Sequence, residues 1–315
     1  MTHEEWLAQR RKSIGGSDAA AIVGMNRYVT PYMLWADKTG RLPPKPDNEA
    51  MRQGRDLEQY VAERFSEATG KRVRRCTNFF RSQKYPFAHA NIDRAVIGER
   101  AGLECKTTNV MNLKKFKNGE YPENYYVQCV HYMAVTGWDR WYLACLILGQ
   151  GFRWFVIDRN QAEIDALMQA ESEFWEHYVV PDIPPPVDGL SPTDTALDAV
   201  FPDTNPQLGT MDLTGCEELF QQYQATKDLV HAYQQQLEQY KQELKSRLGE
   251  WESGRCGDYT VSWISQSRRT FDVRRFATDH PEIDLTDYYK ESTYRKFNVK
   301  EYIEDGGIHS ESSHE

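Results

Sequence analysis

The hydrophobic period changes at Gly70, and that change decides which folds are open to the chain. Before it, residues 48–70 set Leu57, Val61 and Phe65 on one helical face, with Gly70 as the stop. After it, residues 72–80, 88–97, 102–107, 140–148 and 152–158 read as strands. Helical segments at 123–136 and 161–178 interleave with them. Strands alternating with helices must bury one sheet under helices. The expected fold class is therefore α/β, with one central mixed β-sheet flanked by helices. Upstream, residues 3–12 read as a short amphipathic helix. Ser17 reads as the N-cap of a helix over 18–23, and Thr30-Pro31 opens another helix that Gly40 ends.

Seven of the fourteen prolines lie between Pro181 and Pro206, without a period. This predicts a linker over 181–210 that separates a domain at 1–180 from an appendage at 211–305, with a polar, disordered tail at 306–315. In the appendage, Leu219, Tyr223, Thr226, Val230, Tyr233, Leu237, Tyr240 and Leu244 repeat at alternating spacings of four and three. That is one long helix packing along another, on its own domain, a neighbouring subunit or a partner. Ordinary core packing is the expectation. Residues 257–267 then alternate as a strand (Tyr259, Val261, Trp263), and a small α/β lobe follows.

Charge sharpens the division. The whole chain carries −9, which taken alone argues against nucleic acid. Residues 1–180 hold 25 Lys and Arg against 22 Asp and Glu, a net of +3. Residues 181–315 hold 13 against 25, a net of −12. The acidic excess belongs to the appendage, so a DNA substrate for the first domain stays open. No apolar run is long enough to span a membrane, and the first residues lack a secretory pattern, so a cytoplasmic protein is expected. Six scattered cysteines without a CxxC pair argue against a zinc ribbon, an iron–sulfur cluster or a disulfide scaffold.

The chemistry concentrates in Asn91-Ile92-Asp93 and, after ten further residues, Glu104-Cys105-Lys106. Two short strands joined by a turn near Gly98–Gly102 bring Asp93 beside Glu104. Two-residue spacing puts Glu104 and Lys106 on one face. Paired hard carboxylates suit Mg²⁺ or Mn²⁺, with the Cys105 carbonyl as a further oxygen and Glu58 on the preceding helix able to complete the site. A lysine beside the metal can orient or help deprotonate water and offset charge on a phosphate. The competing reading is a Glu-x-Lys pair on an exposed strand.

Glu58, Asp93, Glu104-x-Lys106 and a helix bearing Gln128 together resemble the PD-(D/E)XK nuclease fold. More narrowly, residues 7–178 resemble the YqaJ-type viral recombinases, relatives of phage lambda exonuclease. The matching stretches are RRKSIGGSDAAAIVG from Arg10 to Gly24, Gly54-Arg55-Asp56-Leu57-Glu58, Asn91-Ile92-Asp93, Leu103-Glu104-Cys105-Lys106, and YYVQCVHYMAVT from Tyr125 to Thr136. Ile92 departs from the pattern, which has proline there. The resemblance implies a 5'-to-3' exonuclease on double-stranded DNA ends that leaves a 3' single-stranded overhang. It implies a magnesium site of two ions, with Mn²⁺ as substitute, held by Asp93, Glu104 and the Cys105 carbonyl with Glu58 nearby. Lys106 would act on the nucleophilic water, and Gln128 would position water or phosphate. Ser17, Arg27 and Arg10 would hold the 5'-phosphate, with Gly15 and Gly16 letting the backbone approach it; a simple helix cap is the alternative for Ser17.

The same resemblance implies a homo-oligomeric ring, a trimer or alternatively a tetramer, working with a phage single-strand annealing protein. Arg72, Arg74, Arg75, Arg81 and Lys84 form one basic cluster and Lys114, Lys115 and Lys117 a second. Each fits either a DNA backbone or a solvated face. Other PD-(D/E)XK endonucleases and a non-catalytic DNA-binding scaffold are the alternative functions. A Cas4-like enzyme needs four clustered cysteines, which are absent.

Overall fold

A computed structural model describes residues 9–44, 46–291 and 294–299. The chain divides into two compact units, 1–202 and 203–315.

In the first unit, α1 (Gly16–Ile22), α2 (Pro31–Lys38) and α3 (Glu49–Thr69) precede the strands. Asn48 caps α3 by accepting from the Met51 N–H, and Gly70 closes it at φ 71° in the left-handed region. The strands are β1 (Val73–Arg75), β2 (Phe79–Arg81), β3 (His89–Asn91), β4 (Arg94–Val96), β5 (Ala101–Thr108), β6 (Arg140–Ile147) and β7 (Gly151–Asp158). Between β5 and β6 come a tight helical segment (Val110–Gly119) and α4 (Glu123–Thr136). After β7 comes α5 (Gln161–Phe174), prolonged by a π-helical turn (Trp175–Val179). The five-stranded sheet has the order β1-β4-β5-β6-β7, with β5 and β6 parallel and every other neighbour antiparallel. It is the expected mixed sheet.

Period two along β6 splits the core into two layers. Tyr142 and Ala144 join Leu103 against Val61 and Phe65 of α3. Trp141, Leu143 and Cys145 face Val127, Val130 and Met133 of α4. Helices α3 and α4 therefore cover opposite faces.

In the first unit three expectations need correction. The runs 72–80 and 88–97 are not continuous strands. Each breaks in two, and β2 pairs with β3 in a separate two-stranded sheet. Ser17 is not an N-cap: Gly15 holds that place and Ser17 lies inside α1. The predicted linker carries a helix, α6 (Ser191–Val200), fixed to the first unit by a buried Thr30–Thr193 hydroxyl bond of 2.8 Å and by Ala196 in the core. Proline in the first turn opens this helix rather than breaking it. The N-terminal helix of 3–12 is helical at residues 9–11, and its first six residues lie outside the described ones, as does the tail at 306–315.

The second unit holds one long helix, α7 (Glu217–Leu248), a hairpin of β8 (Ser253–Cys256) and β9 (Tyr259–Ser262), and α8 (Val273–Asp279). The strand expected over 257–267 is shorter and becomes half of that hairpin. Leu248 packs on Gly254. The heptad stripe of α7 lies open rather than in a core: Tyr233 is 68% and Leu237 55% exposed. No helix of the described residues is long and apolar enough to cross a membrane.

Candidate active site

Asp93 sits in the break between β3 and β4. The pairing of Arg94 with Leu103 and Ala95 with Gly102, continued by one residue, sets Asp93 opposite Glu104. The break turns the Asp93 carboxylate inward, where Oδ2 accepts the Cys105 N–H at 2.8 Å. Glu104 and Lys106 extend from the α4 face of β5. Lys106 Nζ lies 2.6 Å from Glu104 Oε1 and donates to Gln128 Oε1 at 2.8 Å. Gln128, buried on α4, returns its amide N–H groups to Glu104 Oε1 at 2.8 Å and Tyr132 Oη at 2.7 Å. It thus bridges the acid and the lysine. The Lys106 ammonium also lies 5.1 Å from the Tyr125 ring centre, within cation–π range.

Electrostatics follow from this packing. Burial, then the Glu104 charge, push Asp93 well above the ordinary carboxylate range. Burial would lower the Lys106 pKa, but the Glu104 and Asp93 charges raise it above the usual lysine value. One ammonium therefore balances two carboxylates. Glu104 Oε2 is buried and has no hydrogen-bond partner. An orphaned acceptor on a buried acid is costly unless a cation or donor meets it. The two hard oxygen ligands and this open lone pair fit a divalent metal.

Glu58 does not join them directly. It lies on α3, across the sheet from α4, and its carboxylate takes a hydrogen bond from Arg94 Nη1. Arg94 is buried and also donates to the Asp93 carbonyl at 2.8 Å and to Gln59 Oε1 at 3.1 Å. Glu58 reaches Asp93 as a neighbouring negative charge. Among the described residues, no three His, Cys, Asp or Glu side chains gather as one metal cluster.

The predicted phosphate residues separate into two groups. Arg10 Nη2 donates to Ser17 Oγ at 2.8 Å and lies 3.8 Å from Asp18 Oδ1. Arg27 instead bonds the Tyr28 hydroxyl and stacks on its ring at 4.5 Å. Burial holds the hydroxyl of Tyr125, the ring beside Lys106, above its ordinary pKa, while the Lys106 charge opposes the rise. Gly15 and Gly16 serve protein contacts rather than an open anion cradle. A Cβ on Gly16 would sit 2.5 Å from the Tyr132 ring and 3.1 Å from Gln128 Cγ, and one on Gly15 would sit 2.9 Å from His89 Nε2. The bareness of Gly16 lets α1 press against α4 directly behind Gln128, and that of Gly15 lets the start of α1 close on His89 of β3.

Sequence reasoning missed the clamp beneath this segment. Lys38, at the end of α2, is buried. Its ammonium donates to Asp18 Oδ2 at 2.6 Å, the Arg10 carbonyl at 2.8 Å and the Ser13 carbonyl at 2.9 Å. Asp18 Oδ2 also caps α1 by accepting the Gly15 N–H at 2.9 Å. Burial would raise the Asp18 pKa, but the Lys38 and Arg10 charges win and bring it down to about 2. A signal existed for Asp18, an acid three residues past a glycine N-cap. Lys38 gave none, since a helix-terminal lysine reads as solvated. Both basic runs are largely solvent-facing: Arg74 and Arg75 on the edge strand β1, and Lys114, Lys115 and Lys117 around buried Phe116.

A mixed sheet that brings two acids, a lysine and a glutamine together between β5 and α4 defines the class of protein. The YqaJ-like viral recombinase domain pattern matches residues 5–139. The chain belongs to this family. Protein YqaJ of Bacillus subtilis (strain 168), which carries no assigned activity, is 37% identical over 305 residues, covering 96% of this chain and 95% of its own. Among solved structures, an alkaline exonuclease from Laribacter hongkongensis is similar at 22% identity and a TM-score of 0.45, covering 55% of this chain and 91% of that one. A phage-related exonuclease from Haemophilus somnus 129PT is similar at 12% identity and a TM-score of 0.42, covering 54% and 96%.

Proposed function

We propose that the chain is a metal-dependent exonuclease that hydrolyses one strand of linear duplex DNA in the 5'-to-3' direction. The observation that carries this reading is the convergence of Asp93, Glu104, Lys106 and Gln128, with Glu104 Oε2 buried and unpaired. Asp93, Glu104 and the Cys105 carbonyl would hold Mg²⁺ or Mn²⁺. When bound, the ion supplies Lewis-acid polarisation of the phosphate and a more acidic water. Lys106 remains an ammonium and offsets negative charge growing on the phosphate. Gln128 fixes the Lys106 and Glu104 side chains relative to one another. Arg10, Ser17 and Arg27 would bind the 5'-phosphate of the DNA end, and Glu58 acts through Arg94 and its field on Asp93. A ring of chains around the duplex, and delivery of the 3' overhang to an annealing protein, complete the reading.

The test is digestion of linear duplex DNA carrying 5'-phosphate or 5'-hydroxyl ends, with Mg²⁺ or Mn²⁺. The reading expects mononucleotide release and faster degradation of the phosphorylated strand. No digestion with either metal would overturn the nuclease. Cleavage of closed circular DNA would indicate an endonuclease instead.

A further inference from the structure

We propose that His131 and Glu171 are positioning residues for the site: they share one buried proton, and through it lock β3, and with β3 Asp93, in register against α4 and Gln128. The inference rests on the nuclease reading of Asp93 and Gln128.

His131 lies one turn beyond Gln128 on α4, and Glu171 lies on α5. Both side chains are fully buried. The imidazole makes two bonds. Nε2 meets the His89 carbonyl of β3 at 2.8 Å, and Nδ1 meets Glu171 Oε1 at 2.8 Å. A carbonyl only accepts, so Nε2 carries a hydrogen. Nδ1 then faces a carboxylate oxygen, and two lone pairs cannot hold a contact of 2.8 Å. One further proton therefore sits between them, as an imidazolium with a carboxylate or as a neutral ring with a carboxylic acid. Either way the pair is neutral overall, which suits its burial. The charged groups packed nearby, Asp18 of α1 and Lys38 of α2, pair with each other. The His89 ring stays neutral, since burial holds its pKa at about 3, and the Tyr132 ring stands edge-on to His131 at 6.1 Å.

Stability alone does not account for such a pair, because apolar side chains of similar volume commonly serve a core as well or better. What the pair supplies is direction. Ala90 and Ile92 press this segment onto α4 by apolar contact, which tolerates sliding along the strand. The bond to the His89 carbonyl does not. β3 ends at Asn91, two residues before Asp93, so its register against α4 sets how Asp93 stands to Gln128. The same histidine reaches the start of α1: its Nδ1 bonds Ser13 Oγ and its backbone N–H donates to the Ile14 carbonyl, each at 2.8 Å.

Two substitutions of equal reach separate the bridge from mere packing. In Glu171→Gln the amide N–H donates to Nδ1 of a neutral ring, which keeps the Nε2 hydrogen on His89; Glu171→Leu offers no donor. Hydrogen exchange of the Cys105 amide, which donates to Asp93 Oδ2, should quicken in Glu171→Leu while the β6 amides stay protected, and should stay slow in Glu171→Gln. On linear duplex DNA, kcat should fall roughly ten- to a hundredfold in the leucine variant at unchanged KM, the scale of a small misplacement of reacting groups, and stay near the wild-type value in the glutamine variant. Exchange that rises equally at Cys105 and in β6, or a glutamine variant as impaired as the leucine one, would overturn the proposal. Exchange needs no turnover, so a wild type that digests no DNA sinks the nuclease reading and leaves the bridge to be judged by Cys105. Should the leucine variant not fold, nitrogen NMR of the wild type decides: at neutral pH, a His131 Nδ1 with no proton shared with Glu171 would overturn the proposal.

Discussion

Lys38→Met isolates the clamp under the Arg10–Ser17 segment. The substitution keeps length and apolar bulk but removes an ammonium with three acceptors: Asp18 Oδ2 at 2.6 Å and the Arg10 and Ser13 carbonyls at 2.8 and 2.9 Å. The Lys38 side chain is 1% and that of Asp18 12% exposed, so little water is at hand to replace the lost partner. Removing one member of a buried pair costs about 3–5 kcal/mol. Arg10 remains 3.8 Å from Asp18 Oδ1 and Gly15 still donates to Oδ2, which favours the lower end, roughly 3 kcal/mol. The depressed Asp18 pKa gives a second figure. The fall of the Asp18 pKa from 3.8 to about 2 corresponds to roughly 2 kcal/mol of stability at neutral pH. Because the folded value is the lower one, this increment is fully present above pH 3.8 and fades as pH falls through 2. Urea unfolding of wild type, Lys38→Met, Asp18→Asn and the double variant at pH 7 should give a coupling of about 2 kcal/mol. The advantage of wild type over Asp18→Asn should shrink by a similar amount between pH 5 and pH 2. A Lys38→Met loss below about 1 kcal/mol, typical of an exposed pair, or parallel acid profiles for wild type and Asp18→Asn, would refute the clamp.

Lys106→Ala should abolish nucleotide release while leaving DNA binding by gel shift largely intact; surviving turnover would place the chemistry elsewhere. Gln128→Leu keeps volume but frees Lys106 and Glu104 from their bridge, and turnover should fall about a hundredfold, the scale of losing one preorganised polar group. Mg²⁺ or Mn²⁺ should raise the melting temperature of the wild type, and chelation should reverse it. Glu104→Ala should lose that shift, and an unaltered shift would move the metal away from Asp93 and Glu104. Gly16→Ala forces a methyl into the Tyr132 ring, and calorimetry should show a loss of about 1–3 kcal/mol from overpacking; a neutral result would mean α1 is free to retreat from α4.

The period of the sequence located α3 by its one apolar face, apolar runs bounded by turn residues located α4, β5, β6 and β7, and β5 carried Glu104 and Lys106 to one side by parity alone. Asp93 was legible for the same reason: ten residues and a glycine turn allow only a hairpin. The breaks at 76–78 and at Ile92-Asp93 were not legible. Neither run carries a proline or glycine to mark its break, and only pairing with different sheets separates the halves. The break is also what frees the Asp93 carboxylate to turn toward the Cys105 N–H. Glu58 shows the other limit. Its place in the motif is sound, but spacing along α3 does not say that Arg94, one residue beyond Asp93 and so on the opposite strand face, turns toward α3 and takes that carboxylate.

The same parity explains how the site can hold two acids so close to one lysine. Asp93 and Arg94 are adjacent on the chain and point to opposite faces. The acid serves the α4 side, while the arginine neutralises Glu58 on the α3 side. If Arg94 were lost, Glu58 would be left unpaired and would add its field to Asp93, whose carboxyl burial and the Glu104 charge already hold above the ordinary range. Arg94→Met should therefore raise the pH at which metal-induced stabilisation begins, through Asp93, while leaving the ligand carboxylates themselves in place. Melting curves with and without Mg²⁺ from pH 5 to 8 would measure it, and an unmoved onset would show that Glu58 and Arg94 act only as a structural pair.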